Sequence, residues 1–243
     1  MMTMPDMTYK HTDSGELMLD AYLPEQKGFS VIIWFHGGGL ETGDRKRCKD
    51  MAAYTVERGY GLVSVEYRMY PRARYPDYIE DAADSIAFVL KRCEQWGANG
   101  KVFIAGRSAG AYLTMMLCMN HAYLRAAGVE QEQIMAYITD SAQQFCHFNV
   151  LREMGIDARL ERINDRAPIY YVAESLHIRP LLMMYYAEDI VCRPEETKLM
   201  YASIRSVMAD SDAQILELPG THCCDIGIEF EKICDFADHV MHI

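Results

Sequence analysis

The sequence feature that most constrains the fold is a serine between two glycines, placed where a short apolar run meets a helical pattern. Residues 102–105 predict a buried strand, the residues after Gly110 predict a helix, and Gly-Arg-Ser-Ala-Gly at residues 106–110 joins the two. A turn this sharp brings backbone segments so close that its glycines have no room for side chains. It also exposes the serine hydroxyl, which needs a general base and an oxyanion-binding site to react. The turn therefore predicts a reactive Ser108 at the end of a strand.

A second glycine-rich motif supports this interpretation. His-Gly-Gly-Gly at residues 36–39 follows another strand-like run at residues 30–33, upstream of the serine. Consecutive glycines allow backbone N–H groups to converge on one point, as an oxyanion-binding site requires. Either motif alone is a weak signal, because short patterns also occur by chance. The two motifs in this order are a stronger one.

Together with Glu-Tyr-Arg at residues 66–68 and Tyr-Pro-Asp at residues 75–77, these motifs resemble a known family. They are similar to the esterase branch of the α/β-hydrolase superfamily related to hormone-sensitive lipase, and to the small bacterial esterases that include feruloyl and acetyl-xylan esterases. The resemblance covers nearly the whole chain. It implies the α/β-hydrolase fold, an α/β structure whose mostly parallel central sheet has helices on both faces and a small cap segment. The motifs are specific to the superfamily and not to one substrate.

The resemblance also implies the general base. The superfamily places this histidine after a late strand and a turn, and His222 follows the strand-like run at residues 214–218 and a Pro-Gly turn. A histidine on such a loop can direct its Nε2 at the serine. Of the eight histidines, His222 is therefore the expected base, and His36 of the glycine loop is expected to orient that loop.

The acid is expected after the preceding strand, at residues 181–186. Asp189 stands at the position that matches the family, where a carboxylate would hold the imidazole in the correct tautomer. Two departures complicate this assignment: Tyr186 stands where the family commonly has glycine, and Glu188 is a competing carboxylate. The chain order of serine, acid and histidine is that of α/β-hydrolases.

These residues imply acyl transfer. Ser108 would attack an ester carbonyl while His222 takes its proton, and the backbone N–H groups of Gly38, Gly39 and Ala109 would hold the oxyanion. Neither a metal nor an organic cofactor is needed. The eight cysteines contain no Cys-x-x-Cys pair, which favours reduced structural thiols over a disulfide framework or a metal site.

Strand-like runs alternate with helical patterns along the chain, as is typical of a mostly parallel sheet covered on both faces. The last helix is predicted from apolar positions between Ile226 and Val240. No repeat or linker interrupts the alternation, so residues 1–243 are expected to form a single domain. The strand-like runs lie at residues 17–23, 29–35, 60–65, 101–105, 134–139, 181–186 and 214–218.

One connection is longer than a sheet of this kind requires. Residues 141–179 separate two predicted strands, where about 2–6 residues usually join a strand to a helix. They contain helical patterns at residues 143–154 and 157–163. In the family this connection often bears a cap over the active site, and we expect residues 141–179 to form one; the alternative is an ordinary crossover helix with a long lead.

The aromatic residues Phe145, Phe148 and Tyr170 of this segment are the expected substrate-binding residues. We expect residues 141–179 to form most of the pocket wall. A wall from one short segment buries little apolar surface, so it predicts a preference for short acyl groups.

Charge and hydropathy exclude several classes of function. The formal net charge is −11, and the basic run at residues 45–47 is short and is interpreted as a solvated helix start. Nucleic acids and anionic membranes attract a concentrated basic surface, so neither is expected as a partner. No apolar run approaches the ~18 residues of a membrane span, and the N-terminus lacks signal-peptide features. We expect a cytoplasmic protein that acts on a small-molecule ester, in an unknown oligomeric state.

Three functions fit these observations. The first is a serine carboxylester hydrolase that cleaves small or carbohydrate-linked esters with short or aromatic acyl groups. The second is an amide-cleaving serine hydrolase, such as a formamidase or a peptidase, which would use the same motifs on a poorer leaving group. The third is a ligand-binding descendant without activity, which typically loses a member of the catalytic set. All three candidate members are present here.

Overall fold

The computed structural model describes residues 1–174, 177–224 and 227–242, and within them eight strands form one sheet. Their order in the sheet is β1-β2-β4-β3-β5-β6-β7-β8. All neighbouring pairs from β4 to β8 are parallel, whereas β1 and β2 are antiparallel to their neighbours. The predicted mostly parallel sheet is confirmed. The strands are β1 (Met2–Thr12), β2 (Gly15–Leu23), β3 (Val31–Phe35), β4 (Gly61–Val65), β5 (Val102–Arg107), β6 (Ile134–Asp140), β7 (Leu181–Glu188) and β8 (Ala213–Thr221).

Helices cover both faces of this sheet. Successive side chains of a strand point to opposite faces, and in β3 Val31, Ile33 and Phe35 belong to one core while Ile32 and Trp34 belong to the other. The first core contains residues of α2, α3 and α6, and the second contains residues of α1 and α7. The helices are α1 (Lys49–Glu57), α2 (Asp77–Trp96), α3 (Ala109–Met119), α4 (Ala122–Ala126), α5 (Phe148–Glu153), α6 (Arg193–Val207) and α7 (Ile228–Met241).

Sequence patterns located seven of the eight strands and missed β1. The seven differ from their predicted bounds by only a few residues at each end. Strand β1 lies at the edge of the sheet, pairs with β2, and has register breaks between Met4 and Met7 and between Thr8 and Lys10. Such irregularities disrupt the alternation of inward and outward side chains, so β1 lacks the period of two by which a strand is recognised.

The long segment 141–179 is less helical than predicted. Helix α5 begins at Phe148 and not at residue 143, because His147 has a non-helical ψ of 141° and accepts the Asn149 N–H as the N-cap residue. In the preceding loop, the Glu196 carboxylate accepts the N–H groups of Gln144 and Phe145. Residues 157–163 form a turn and a loop and no helix, and within the turn the Asp157 carboxylate accepts the N–H and the guanidinium of Arg159. A short 3₁₀ helix at Pro168–Ala173 was not predicted.

The end of the chain forms the predicted last helix. Helix α7 begins at Ile228, and Ile226, which we placed on its apolar face, lies outside the described residues. Ile233, Ala237 and Val240 are buried against the sheet, as a stripe at helical spacing requires. In the described part of the chain, no helix is both long and apolar enough to cross a membrane.

A buried arginine ties the edge of the sheet to the loop that follows β3. Arg45 was interpreted as part of a solvated helix start, but only 7% of it is exposed. Its guanidinium donates to Asp20 of β2 at 3.1 Å, to Glu66 after β4 at 2.9 Å, and to Asp6 of β1. Three carboxylates from three parts of the sheet therefore compensate one buried positive charge.

Replacing this arginine is expected to destabilise the fold. In Arg45→Met the nearly buried Asp20 carboxylate loses its positive partner, so the free energy of unfolding should fall by about 3–5 kcal/mol. Urea unfolding followed by circular dichroism measures this. The control is Arg159→Met, which breaks a fully exposed ion pair and should leave the unfolding midpoint almost unchanged. Equal midpoints for the two variants would show that the Arg45 cluster contributes nothing.

Candidate active site

Ser108 lies in a strained turn between β5 and α3. Its φ is 51° and its ψ is −114°, in a region that residues with side chains rarely adopt. The surrounding backbone holds this conformation, because the Ser108 N–H donates to the Asp140 carbonyl at 2.7 Å and the Ser108 carbonyl accepts the Tyr112 N–H at 2.9 Å. The turn projects the serine side chain from the end of the strand.

Two glycines make this turn possible. A Cβ on Gly106 would lie 2.4 Å from the carbonyl carbon of Gly110, and a Cβ on Gly110 would lie 2.0 Å from the carbonyl oxygen of Phe35. Both distances are far below van der Waals contact. The serine is therefore flanked by glycine because helix α3 begins directly against strands β5 and β3.

The structure brings together the three residues that the sequence proposed as nucleophile, base and acid. His222 follows β8, and its Nε2 lies 3.0 Å from the Ser108 Oγ. Its Nδ1 lies 2.5 Å from the Oδ1 of Asp189, which follows β7. All three elements end at the same edge of the sheet, since β5, β7 and β8 run in the same direction.

Asp189, and not Glu188, faces the histidine. The Asp189 side chain is fully buried and accepts N–H groups from Tyr186 at 3.2 Å and Ile190 at 2.7 Å, whereas Glu188 is exposed. Burial raises the pKa of Asp189, but hydrogen bonds from His222 and Ser141 outweigh it and leave the pKa below its usual value. The carboxyl group is therefore ionised at neutral pH.

Sequence reasoning missed a fourth polar residue at this site. The Ser141 Oγ donates to the Oδ2 of Asp189 and lies 2.9 Å from the Nδ1 of His222. Ser141 directly follows β6, the strand between β5 and β7. Its position at the carboxyl end of a central parallel strand was the signal available in the sequence, because ligands and reactive groups collect at that edge.

The glycine loop lies directly beside the serine. A Cβ on Gly37 would be 3.3 Å from the Cβ of Ser108, and φ is 120° for Gly38 and 66° for Gly39. Among the described residues, no carbonyl or side chain accepts the N–H groups of Gly38, Gly39 or Ala109. These three donors are those expected to bind an oxyanion.

His36 contacts the glycine loop and a neighbouring aromatic ring, in agreement with its expected role of orienting this loop. Its Nδ1 lies 2.7 Å from the Gly37 carbonyl, and its ring stacks on Tyr67 with centroids 4.5 Å apart. The Tyr67 hydroxyl donates to the His36 carbonyl at 2.7 Å, and the Asn149 amide donates to the Gly39 carbonyl. Burial lowers the pKa of His36, so a neutral imidazole can donate to Gly37.

Arg107, the residue before the serine, forms a buried cluster of ion pairs next to the turn. The Arg107 guanidinium donates to the Asp140 carboxylate at 2.8 Å and to the Glu229 carboxylate at 2.6 Å, and both acids are completely buried. It also lies over the ring of Trp34 at 5.9 Å. Burial raises the pKa of Asp140 despite the nearby arginine. The residue before the serine thus links β5 to β6 and α7.

A cavity of about 710 Å³ opens beside Ser108 and His222. Its wall comes mainly from the glycine loop, from residues 42–51, and from Cys223, Gly227 and Phe230. Trp34, Met51 and Phe230 make part of this wall apolar, while the exposed Asp44, Arg47 and Asp50 place charges along it.

Of the three aromatic residues expected to bind substrate, only Phe148 lies in this wall. Its ring tip is 2.7 Å from where a Cβ of Gly39 would be, so the ring closes against the glycine loop. Tyr170 is 43% exposed and packs edge-on against Tyr171, and the Phe145 backbone is held by Glu196. The expectation that residues 141–179 form most of the wall was therefore wrong: residues 42–51, which carry no recognisable motif, form more of it.

The described residues contain no group of three or more His, Cys, Asp or Glu side chains arranged to hold a metal ion. The chemistry available at the site is that of the serine hydroxyl, the imidazole, the carboxylate and the backbone donors. A hydroxyl that contacts a neutral imidazole can lose its proton to it as it attacks an electrophilic carbon.

The sheet, the strained serine turn and the glycine loop define an α/β-hydrolase. The chain belongs to the family described as BD-FAE, whose sequence model matches residues 19–158, more than half of the chain. The resemblance to esterases of this superfamily is thus confirmed.

Several curated esterases are similar to part of the chain. Esterase LipI of Mycobacterium tuberculosis is 35% identical over 99 residues, which are 39% of this chain and 30% of that protein. A probable carboxylesterase 7 of Arabidopsis thaliana is 36% identical over 124 residues, 45% of this chain and 40% of that protein. An acetyl esterase of Salmonella schwarzengrund is 30% identical over 110 residues, 43% of this chain and 33% of that protein. The matches thus span less than half the length of these relatives.

Solved structures show the same fold over nearly the whole chain. The propionate-bound esterase Est2 of Thermogutta terrifontis has a TM-score of 0.77 and 19% identity, and the alignment covers 96% of this chain and 92% of that one. Its butyrate-bound structure also has a TM-score of 0.77, with 17% identity over 96% and 91% of the two chains. The α/β-hydrolase fold is confirmed.

Proposed function

We propose that this protein is a serine carboxylester hydrolase with Ser108, His222 and Asp189 as its catalytic triad. One observation carries the proposal: a continuous hydrogen-bonded series from the Ser108 Oγ to His222 at 3.0 Å, and from His222 to Asp189 at 2.5 Å. The esterase relatives in the same family support the choice of substrate class.

Acylation of the serine is the first half of the reaction. The Ser108 Oγ attacks the ester carbonyl carbon, and its proton passes to the Nε2 of His222. The carbonyl oxygen becomes an oxyanion that accepts hydrogen bonds from the N–H groups of Gly38, Gly39 and Ala109, each worth about 3–4 kcal/mol by analogy with other oxyanion holes. The intermediate collapses when the carbon–oxygen bond to the alcohol breaks and His222 returns the proton to the departing oxygen.

Hydrolysis of the acyl-enzyme is the second half. Water attacks the acyl carbon as His222 removes one of its protons, and the second tetrahedral intermediate uses the same backbone donors. The bond to Ser108 then breaks, the serine recovers its proton from His222, and the carboxylic acid leaves. Throughout, the Asp189 carboxylate stabilises the imidazolium that forms transiently and keeps the Nδ1 of His222 protonated.

The substrate we propose has a short acyl group and a larger, polar alcohol. Phe148 closes against Gly39, next to the donors that would bind the carbonyl oxygen, which limits the room for a long acyl chain. The charged residues Asp44, Arg47 and Asp50 along the cavity suit hydroxyl groups, as on a carbohydrate-linked ester. The propionate and butyrate bound to Est2 agree with a short acyl group.

We also propose a cytoplasmic location. All eight cysteines carry free thiols, and five of them are buried in the structure. Free thiols persist in a reducing compartment.

Removing the nucleophile is expected to abolish hydrolysis. Ser108→Ala should lower kcat on p-nitrophenyl acetate by a factor on the order of 10³ to 10⁶ without unfolding the protein, because the attacking hydroxyl is lost. The control is Ser14→Ala in the exposed turn between β1 and β2, with circular dichroism to verify both folds. If Ser108→Ala retains more than a tenth of the activity, the protein is not a serine hydrolase of this kind.

Replacing the acid tests the assignment of Asp189 over Glu188. Asp189→Asn should lower kcat by a factor on the order of 10⁴, since the neutral amide favours the wrong imidazole tautomer. Glu188→Gln removes one exposed charge from the adjacent position and should change kcat less than about threefold. Steady-state kinetics of the two variants on one ester make the comparison. The reverse ranking would assign the acid to Glu188.

Acyl-chain selectivity tests the role of Phe148. The wild-type protein should prefer acetyl to butyryl esters over decanoyl esters, because a buried methylene contributes about 0.8 kcal/mol only where there is surface to cover it. Phe148→Ala should raise kcat/KM for decanoyl relative to acetyl esters, whereas Tyr170→Ala, outside the cavity wall, should not. A series of p-nitrophenyl esters measures this.

The same series can include methyl ferulate, acetylated xylan and an N-formyl amide to determine the class of leaving group. Hydrolysis that becomes steadily faster up to decanoyl esters, or selectivity that Phe148→Ala leaves unchanged, would show that another part of the molecule forms the acyl site.

A further inference from the structure

We propose that Ser141 is a positioning residue that fixes the hydrogen-bonded pair of Asp189 and His222. The proposal rests on the function proposed above, and it adds a fourth side chain to the three named there. Ser141 forms hydrogen bonds with the acid and the base, so its effect on the reaction is exerted through them.

The backbone holds Ser141 at one defined point. It follows the last residue of β6, its N–H donates to the carbonyl of Met184 in β7 at 2.9 Å, and it is fully buried. The neighbouring strands β5 and β7 carry Ser108 and Asp189 just beyond their ends. The backbone of Ser141 is therefore fixed by its hydrogen bond to the neighbouring strand.

The conformation of Ser141 is costly for a residue with a side chain. Its φ is 61°, in the left-handed region that glycine adopts without penalty. Glycine would adopt this backbone conformation with less strain than serine. An interaction of the side chain must therefore offset this strain. The interactions that the structure shows are its hydrogen bonds to Asp189 and His222.

Those hydrogen bonds engage both partners. The Nδ1 of His222 lies 2.5 Å from the Oδ1 of Asp189, to which it donates its proton in the tautomer that the proposed mechanism uses. The Ser141 hydroxyl donates to the other carboxylate oxygen, Oδ2, and its own oxygen lies 2.9 Å from the Nδ1. The carboxylate is thereby held at both oxygens, and it cannot rotate away from the imidazole without losing the bond to Ser141.

Charge supports the same conclusion. Burial of a carboxylate favours its protonated form, which could not stabilise an imidazolium. Hydrogen bonds from His222 and Ser141 oppose this effect of burial and keep the pKa of Asp189 below its usual value. Without the Ser141 hydroxyl, one of those two side-chain donors is missing.

The test removes the hydroxyl without straining the backbone. Ser141→Gly adopts φ of 61° freely, so it should fold at least as well as the wild type, yet kcat on p-nitrophenyl acetate should fall by about 10- to 100-fold, as expected for one hydrogen bond to a charged group. KM should stay within about twofold, because Ser141 does not line the cavity. Ser141→Cys, whose thiol is a weak donor, should recover part of the lost kcat.

The matched control is Ser85→Ala. Ser85 is also fully buried and its hydroxyl donates to the Ala82 carbonyl within α2, so this variant loses a buried hydroxyl away from the site and should keep its kcat. Ser141→Ala provides a second variant without the hydroxyl, should Ser141→Gly be poorly folded. Thermal unfolding of each variant separates loss of activity from loss of fold.

A measurement independent of activity completes the test. The proton on the Nδ1 of His222 should give a downfield NMR resonance in the wild type, and Ser141→Gly should shift or broaden it while Ser85→Ala does not. If the wild type neither hydrolyses esters nor reacts with a fluorophosphonate, the proposed function fails, and the NMR comparison still decides the role of Ser141. An active wild type with unchanged kcat and an unchanged resonance in Ser141→Gly would overturn the inference about Ser141 alone.

Discussion

The close approach of helix α3 to strand β3 is the constraint on which the rest of the structure depends. Because the backbone of Gly110 lies against the Phe35 carbonyl, the helix can begin immediately after the serine. That start forces Ser108 into its unusual conformation, and the same contact brings the glycine loop after β3 alongside the serine. Ser108 and the backbone N–H groups of the glycine loop are thus positioned by one packing contact between α3 and β3.

Residues with strong local requirements were predictable from the sequence. Ser108 and the glycine loop were recognised because a tight turn tolerates few residue types, and the seven strands because a buried parallel strand is apolar along its whole length. Assigning His222 and Asp189 required the resemblance to a family as well, since nothing in their local sequence distinguishes them from other histidines and acids. The structure places both beside the serine.

Features that arise from contacts distant in sequence were not predictable. Strand β1 has an irregular register, so its pattern carries no period, and Ser141 is one serine among many until the sheet places it beside Asp189. The segment 141–179 contains helical patterns, but the backbone before Phe148 is a loop whose N–H groups at Gln144 and Phe145 donate to Glu196 of α6. These features depend on contacts between residues that are far apart in the sequence.

The Arg45 cluster connects two parts of the molecule that have different roles. Arg45 lies within the segment 42–51, which forms part of the cavity wall, and its guanidinium binds Asp6 of β1 and Asp20 of β2. These ion pairs thereby connect the first two strands of the sheet to the segment that forms part of the cavity wall. Substitutions in the first two strands, whose described residues do not line this cavity, can consequently change the shape of its wall while the geometry around Ser108 stays the same.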